Sequence, residues 1–290
     1  MRDWTPQKLY TQKEKPLLPA VIFVGPTKCG TTWIDTYLRE REEVVLPADC
    51  KETFFFDKAF NKGTAWYEAH FQGSEGVGVE VAPSLFHKPH AIANVKATCP
   101  GAKIIIVFRD PYDRAISHYF HYRKQGAPKM PITQMAETHP DMIEAGLFNK
   151  YAQKWEEAFP GQVTFLSYEM LKTDPVRFCR DVCQQLGIPD DVPPPASLSS
   201  RSVNAASLPR SRKLAHYTRR GAEIVRRLGG HKLVNFLRQT GLKKLAFSGG
   251  NDVGTERMEI RAEVLALAPA IGEDLDAFQK NYGARLPQAT

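Results

Sequence analysis

The residues best suited to chemistry stand in one short run, Gly25-Pro26-Thr27-Lys28-Cys29-Gly30-Thr31-Thr32. Glycines let a chain turn tightly. Amides at the start of a following helix point outward at an anion, and the helix dipole there favours negative charge. A lysine and two threonine hydroxyls add a cation and further donors. A nucleoside triphosphatase loop reads Gly-x4-Gly-Lys-Ser/Thr. Here the glycine spacing fits and Thr32 takes the hydroxyl position, but Thr31 stands where the lysine belongs, and the lysine has moved inside the loop to Lys28. The run suits a phosphate-like anion, against the plainer alternative of an ordinary glycine-containing turn.

A second run, Arg109-Asp110-Pro111-Tyr112-Asp113-Arg114-Ala115-Ile116-Ser117, follows an apolar stretch. Ser117 lies about two helical turns beyond Arg109. A guanidinium and a hydroxyl so presented can share one phosphate, the arginine forking onto two oxygens. The alternative is a local ion pair between Arg109 and Asp113.

These runs need elements to place them. Val21 to Val24 reads as a strand buried on both faces, stopped by Gly25-Pro26, with a helix from Thr31 to Arg39. Lys103 to Phe108 is a second such strand, and Pro111 suits the first turn of a helix after it. Val163 to Leu166 gives a third strand, and Pro175 to Leu186 a helix ended by Gly187. Shorter strands are expected at Val44 to Leu46 and Val77 to Val81. Alternation of this kind predicts an α/β fold with a central parallel β-sheet flanked by helices, whose ligands bind at the carboxyl ends of strands. Both candidate runs lie at such ends.

Length and composition set the frame. A chain of 290 residues, 42% hydrophobic and 24% charged, can bury a core and is neither disordered nor fibrous. No apolar run approaches the ~18 residues of a spanning helix, and Met1 to Lys15 has no apolar signal region, so a cytoplasmic protein without a membrane span is expected. Five scattered cysteines, Cys29, Cys50, Cys99, Cys179 and Cys183, suit buried free thiols better than a disulfide scaffold.

The formal charge of +7 is unevenly spread, because Arg201 to Phe247 holds 12 Lys and Arg against the single acid Glu223. The remainder of the chain is mildly acidic. A Pro-rich stretch, Pro189 to Pro195, precedes this basic part. The expected organisation is one domain over 1–290, with a core at about 20–188 and a basic, helical C-terminal appendage at about 196–290. Aromatic interleaving in the basic part is poor, with Tyr217, Phe236 and Phe247, so nucleic acid is not an expected partner.

Taken together, Lys28-Cys29-Gly30-Thr31-Thr32-Trp33 after a strand, with Arg109-Asp110-Pro111 and Ser117, resemble the two cofactor signatures of sulfotransferases that use 3′-phosphoadenosine 5′-phosphosulfate (PAPS). Lys51-Glu52-Thr53-Phe54-Phe55-Phe56-Asp57 is similar to the segment that carries a catalytic glutamate in the carbohydrate (heparan-type) enzymes. Glu80-Val81-Ala82-Pro83-Ser84 resembles their next acceptor-site stretch. Tyr151 to Trp155, Tyr168-Glu169 and Leu186-Gly187 resemble the family's third strand and helix, so the likeness runs from about Ala20 to Ile188.

The resemblance implies that Lys28, Cys29, Gly30, Thr31 and Thr32 form a P-loop-like phosphosulfate-binding loop, and that Arg109 and Ser117 hold the 3′-phosphate. It implies a sulfuryl group moved to a hydroxyl of a small-molecule or saccharide acceptor, leaving 3′-phosphoadenosine 5′-phosphate (PAP), with no metal required. Lys28 would stabilise the leaving phosphate. Glu52 would act as general base, its proton affinity raised beside Phe54 to Phe56; a surface acid paired with Lys51 is the alternative. Glu80 is the reserve base or, with Phe54, an acceptor contact. His118 and His121 are expected to pack or cap, and His70 and His87 have no assigned place.

The pattern also departs from the family. Val81 stands where a lysine usually follows the glutamate, and a late Lys-Gly cofactor loop is missing. Arg201 and Arg210 are the nearest substitutes, and with Arg212 they would form a lid over the adenosine 3′-phosphate. A solvated helical face is the other expectation for the basic part. A magnesium-dependent P-loop kinase and a polyanion-binding module using 201–247 remain as alternative functions.

Overall fold

A computed structural model describes residues 18–71, 75–191, 193–194, 253–266 and 268–287. Arg201, Arg210, Arg212 and the rest of the basic 201–247 segment lie outside these residues.

Five parallel strands form one sheet in the order β2-β3-β1-β4-β5: β1 Val21–Gly25, β2 Val44–Val45, β3 Val77–Val81, β4 Lys103–Phe108 and β5 Val163–Ser167. Every residue of β1 and β3 is buried, as a parallel sheet covered on both faces requires. From β1 the chain goes to β2 and β3 on one side, then crosses to β4 and β5 on the other. The carboxyl end of β1 is therefore the switch point where such sheets open a crevice.

The helices expected at Thr31, Pro111 and Pro175 form, and further ones lie between them. Gly30, in the left-handed region at φ 80°, caps α1 (Thr31–Leu38). After β2 come α2 (Phe55–Lys58) and α3 (Thr64–Glu68), and α4 (Pro89–Thr98) follows β3. The strand β4 leads into α5 (Pro111–Lys124), with Pro111 in its first turn and Asp110 accepting from the amide of Asp113 at 2.8 Å. Then come α6 (Ile132–Thr138), α7 (Asp141–Glu144), α8 (Phe148–Ala158), α9 (Tyr168–Thr173) and α10 (Pro175–Leu186). Left-handed Gly187 ends α10. The C-terminal part contributes α11 (Val253–Ala266) and α12 (Ala268–Tyr282).

The chain divides into two compact units, one within Met1–Arg109, Leu147–Val203 and Glu273–Thr290, the other within Asp110–Gly146 and Asn204–Gly272. The first holds the sheet and a core of β-strand residues with Trp33, Tyr37, Phe55, Phe86, Trp155 and Phe178. The second has its own apolar cluster, in which Ile116 and Tyr119 of α5 pack with Met135, Met142, Ile260 and Val264. Inside that unit His118 is buried and stacks on Tyr122 at 4.7 Å, a packing role.

All five cysteines are free thiols, and all but Cys50 are buried. Among the described residues no helix is long and apolar enough to cross a membrane.

Candidate active site

Four neighbouring strands, β3, β1, β4 and β5, end along the same edge of the sheet, and most of the residues singled out in the sequence lie just past those ends. After β1, Gly25 turns with φ 102°, and a Cβ there would stand 2.7 Å from the Cα of Pro83. Glycine is therefore required by sterics as well as by backbone conformation. Lys28 itself is left-handed, at φ 77°. The amide of Trp33 makes the first intrahelical bond, to the Gly30 carbonyl at 2.8 Å. The amides of Thr31 and Thr32 precede it, as orphan donors of a helix start do. Thr32 is exposed and Thr31 buried. Cys29 is fully buried.

Past β4, Arg109 is 7% exposed and turns back on the loop, its Nη1 donating to the Lys28 carbonyl at 2.7 Å. Its guanidinium lies 4.3 Å from the ring centre of Tyr168, the residue that opens α9 after β5. Its buried Nε has no hydrogen-bond partner among the described residues. Asp113 is met by Arg257 and Arg261, at 3.8 and 3.2 Å. Ser117 sits half-buried on α5, in the second unit, whereas Arg109 belongs to the first.

Past β3, the turn at Pro83-Ser84 serves two segments. Thr27 Oγ1 donates to the Pro83 carbonyl at 3.4 Å, and the Ser84 amide donates to Glu52 Oε1 at 3.2 Å. Glu52 is half-buried rather than a free surface acid. Burial raises its proton affinity above the ordinary carboxylate range, against the Ser84 bond and the charge of Lys51. Lys51 is pushed the other way, toward an easier loss of its proton, again by burial and against the pull of Glu52.

Glu80 has a different situation from the one expected. It is wholly buried, so it has no surface with which to meet an acceptor. Its Oε1 accepts from the Thr53 amide at 3.2 Å and hydroxyl at 2.5 Å, and its Oε2 accepts from the Tyr67 hydroxyl. Burial raises its proton affinity, those donors oppose the rise, and the charge of Glu52 adds to it. The expected aromatic shell closes partly on this residue, because Tyr67 stacks on Phe55 at 4.5 Å. Phe55 and Phe56 are buried, but Phe54, left-handed at φ 55°, is 38% exposed with Lys58 Nζ 4.1 Å from its ring centre.

Sequence reasoning missed Thr53, Tyr67 and a buried pair. Asp57, with a fully buried side chain, accepts from Lys88 Nζ at 2.6 Å, while its Oδ1 has no partner among the described residues. The two unassigned histidines pack, His70 edge-on to Trp66 at 4.5 Å and His87 6.2 Å from Tyr151.

A lysine inside a helix-start loop, a buried arginine bracing it and a carboxylate of raised proton affinity bonded to the turn past β3 make a candidate site for an anion beside a proton acceptor. The family model described as "Sulfotransferase domain" matches residues 18–218. Mouse heparan sulfate glucosamine 3-O-sulfotransferase 3A1 is 34% identical over 184 residues, covering 59% of this chain and 46% of that protein. The membrane-associated sulfotransferase kil1 of Dictyostelium discoideum is 31% identical over 155 residues, covering 49% of this chain and 32% of that one. The chain thus spans less than half the length of these curated relatives. The crystal structure of a sulfotransferase from Alicyclobacillus acidocaldarius superposes with a TM-score of 0.55 at 25% identity, over 64% of this chain and 86% of that one. With the family model spanning the sheet, the phosphate loop and the strand-end arginine alike, the chain belongs to the sulfotransferase domain family.

Proposed function

We propose that this chain transfers a sulfuryl group from PAPS to a hydroxyl of a saccharide or other small acceptor. The observation that carries the reading is the placement of Lys28 past β1 and Arg109 past β4, with the Pro83-Ser84 turn past β3 touching both the loop, at Thr27, and Glu52. The donor set suits the cofactor: a lysine, two threonine hydroxyls, helix-start amides and a buried guanidinium whose Nε has no partner among the described residues. The name of the mouse relative, a heparan sulfate glucosamine 3-O-sulfotransferase, supports a saccharide acceptor.

When bound, PAPS supplies the activated sulfuryl group and a phosphate that leaves. Lys28 offers positive charge to that leaving phosphate, and the Thr31 and Thr32 amides and hydroxyls share the load. Arg109 holds the Lys28 carbonyl and so fixes the loop, and it is the proposed holder of the 3′-phosphate. Glu52 takes the proton of the acceptor hydroxyl as it attacks. Phe54, exposed two residues away, is the proposed acceptor contact. Glu80 has no open surface for either expected duty.

A screen of candidate acceptors with labelled PAPS, read by mass shift, tests the reading. Sulfated product is expected with at least one hydroxyl-bearing saccharide or metabolite, and its loss is expected in Glu52→Gln. Magnesium-dependent turnover of ATP without turnover of PAPS would overturn it.

A further inference from the structure

We infer that Glu80 is the positioning residue of the acceptor side, a buried carboxylate that holds Thr53 and thereby fixes Glu52 on one side of it and Phe54 on the other. This rests on the reading of Glu52 as the base. Glu80 lies on β3, in the interior of the sheet, and is 0% exposed. It takes both the amide and the hydroxyl of Thr53, and the Thr53 hydroxyl oxygen in turn accepts from the amide of Phe55 at 3.1 Å. Thr53 is thus tied at three points. Removing the carboxylate would leave buried donors without an acceptor, which is costly.

The two neighbours of Thr53 carry the consequence. Glu52 is held twice by β3 and its turn, through the backbone it shares with Thr53 and through its own bond to the Ser84 amide. Phe54 keeps a left-handed backbone, a conformation that persists in a bulky residue only where surrounding structure over-determines it. Among residues 53 to 56 it is the one whose ring faces outward, since Thr53, Phe55 and Phe56 are buried.

Charge adds a second effect. The carboxylate of Glu52 pushes up the proton affinity of Glu80, so the two carboxylates titrate as a coupled pair. Lys51 and the Ser84 bond lower the proton affinity of Glu52, and Asp57, paired with Lys88, raises it.

Three variants separate these roles. Glu80→Gln keeps the shape and removes the charge, Thr53→Val removes the hydroxyl bonds and keeps the charge, and Glu52→Gln removes the base. Each is titrated with PAP, turned over on the acceptor found by mass shift, and, for the first two and the wild type, followed by carbon-13 NMR of labelled glutamate carboxyls, with Glu52 assigned by its absence in Glu52→Gln. PAP affinity within about twofold of wild type is expected throughout, since the phosphate loop is untouched.

Glu80→Gln should lower kcat about 10- to 100-fold, the cost of misplacing a reacting group by a fraction of its reach. It should also move the Glu52 titration to lower pH. Thr53→Val should lower kcat without that downward move. Unchanged kcat and an unmoved Glu52 titration in Glu80→Gln would show an ordinary core carboxylate and end the inference. Should Glu80→Gln not fold, unchanged kcat in Thr53→Val overturns it equally, and without an acceptor the NMR titration decides. Full turnover by Glu52→Gln with impaired Glu80→Gln would instead sink the base assignment.

Discussion

On the proposed phosphate side of the site, the groups offered to an anion belong to one turn of the chain: glycines at 25 and 30, Lys28 and the first amides of α1 lie within eight consecutive residues. On the acceptor side, Glu52 owes its setting to residues far along the chain, to the Ser84 amide and, through Thr53, to Glu80 and Tyr67. The first side is a local backbone device that needs one brace, Arg109. The second is a stack of buried side chains in which no single residue is sufficient. Anion binding can therefore survive changes that ruin acceptor chemistry, and the Pro83-Ser84 turn is where the two sides touch.

Glu52→Gln should give the widest separation of the two sides. Turnover is expected to fall about 10²- to 10⁴-fold, the range of a lost general base, while calorimetric PAP affinity stays at the wild-type value. A parallel loss of PAP binding would mean that the two sides are not separable. Gly25→Ala attacks the place where they meet, because its Cβ would press on the backbone of Pro83 at 2.7 Å with φ at 102°. A destabilisation of about 2–4 kcal/mol is expected in denaturant unfolding. Both PAP binding and turnover should suffer, unlike in Glu52→Gln.

The subtlest difference lies in the pH dependence of stability. The folded-state proton affinity of Glu52 is raised above that of the unfolded chain. Its contribution to stability is therefore complete below the ordinary glutamate range and is lost as pH rises through the folded-state value. Glu52→Gln should match the wild type in acid and become the more stable of the two as pH rises toward neutrality. Thermal unfolding across that range checks it, and a gap that opens in acid instead would contradict the assigned burial.

The same contrast explains what the sequence revealed. Strands β1 and β4 announce themselves as apolar runs, and α10 as a proline start and a glycine stop, so the sheet and its edges were readable. The phosphate loop was readable for the same reason, since its glycines, lysine and threonines are contiguous. The brace was half readable: Arg109 at a strand end suggested an anion, but its bond to the Lys28 carbonyl crosses 81 residues and leaves no local mark. The acceptor side was least readable. The bonds from Thr53 and Tyr67 to Glu80 span 27 and 13 residues and obey no periodicity. Phe54 to Phe56 look alike in sequence, yet the left-handed backbone at Phe54 turns the first outward while the other two are buried. Glu80, on a strand buried throughout, became an internal anchor where an acceptor contact was expected.

The central claim is that Lys28 and Arg109 serve a phosphosulfate cofactor, and calorimetric titration with PAP addresses it most directly. Stoichiometric binding at micromolar PAP is predicted for the wild type and for Glu52→Gln, and loss of that binding for the Lys28→Ala, Arg109→Ala double variant. Absence of binding by the wild type, or equal binding by the double variant, would contradict the account.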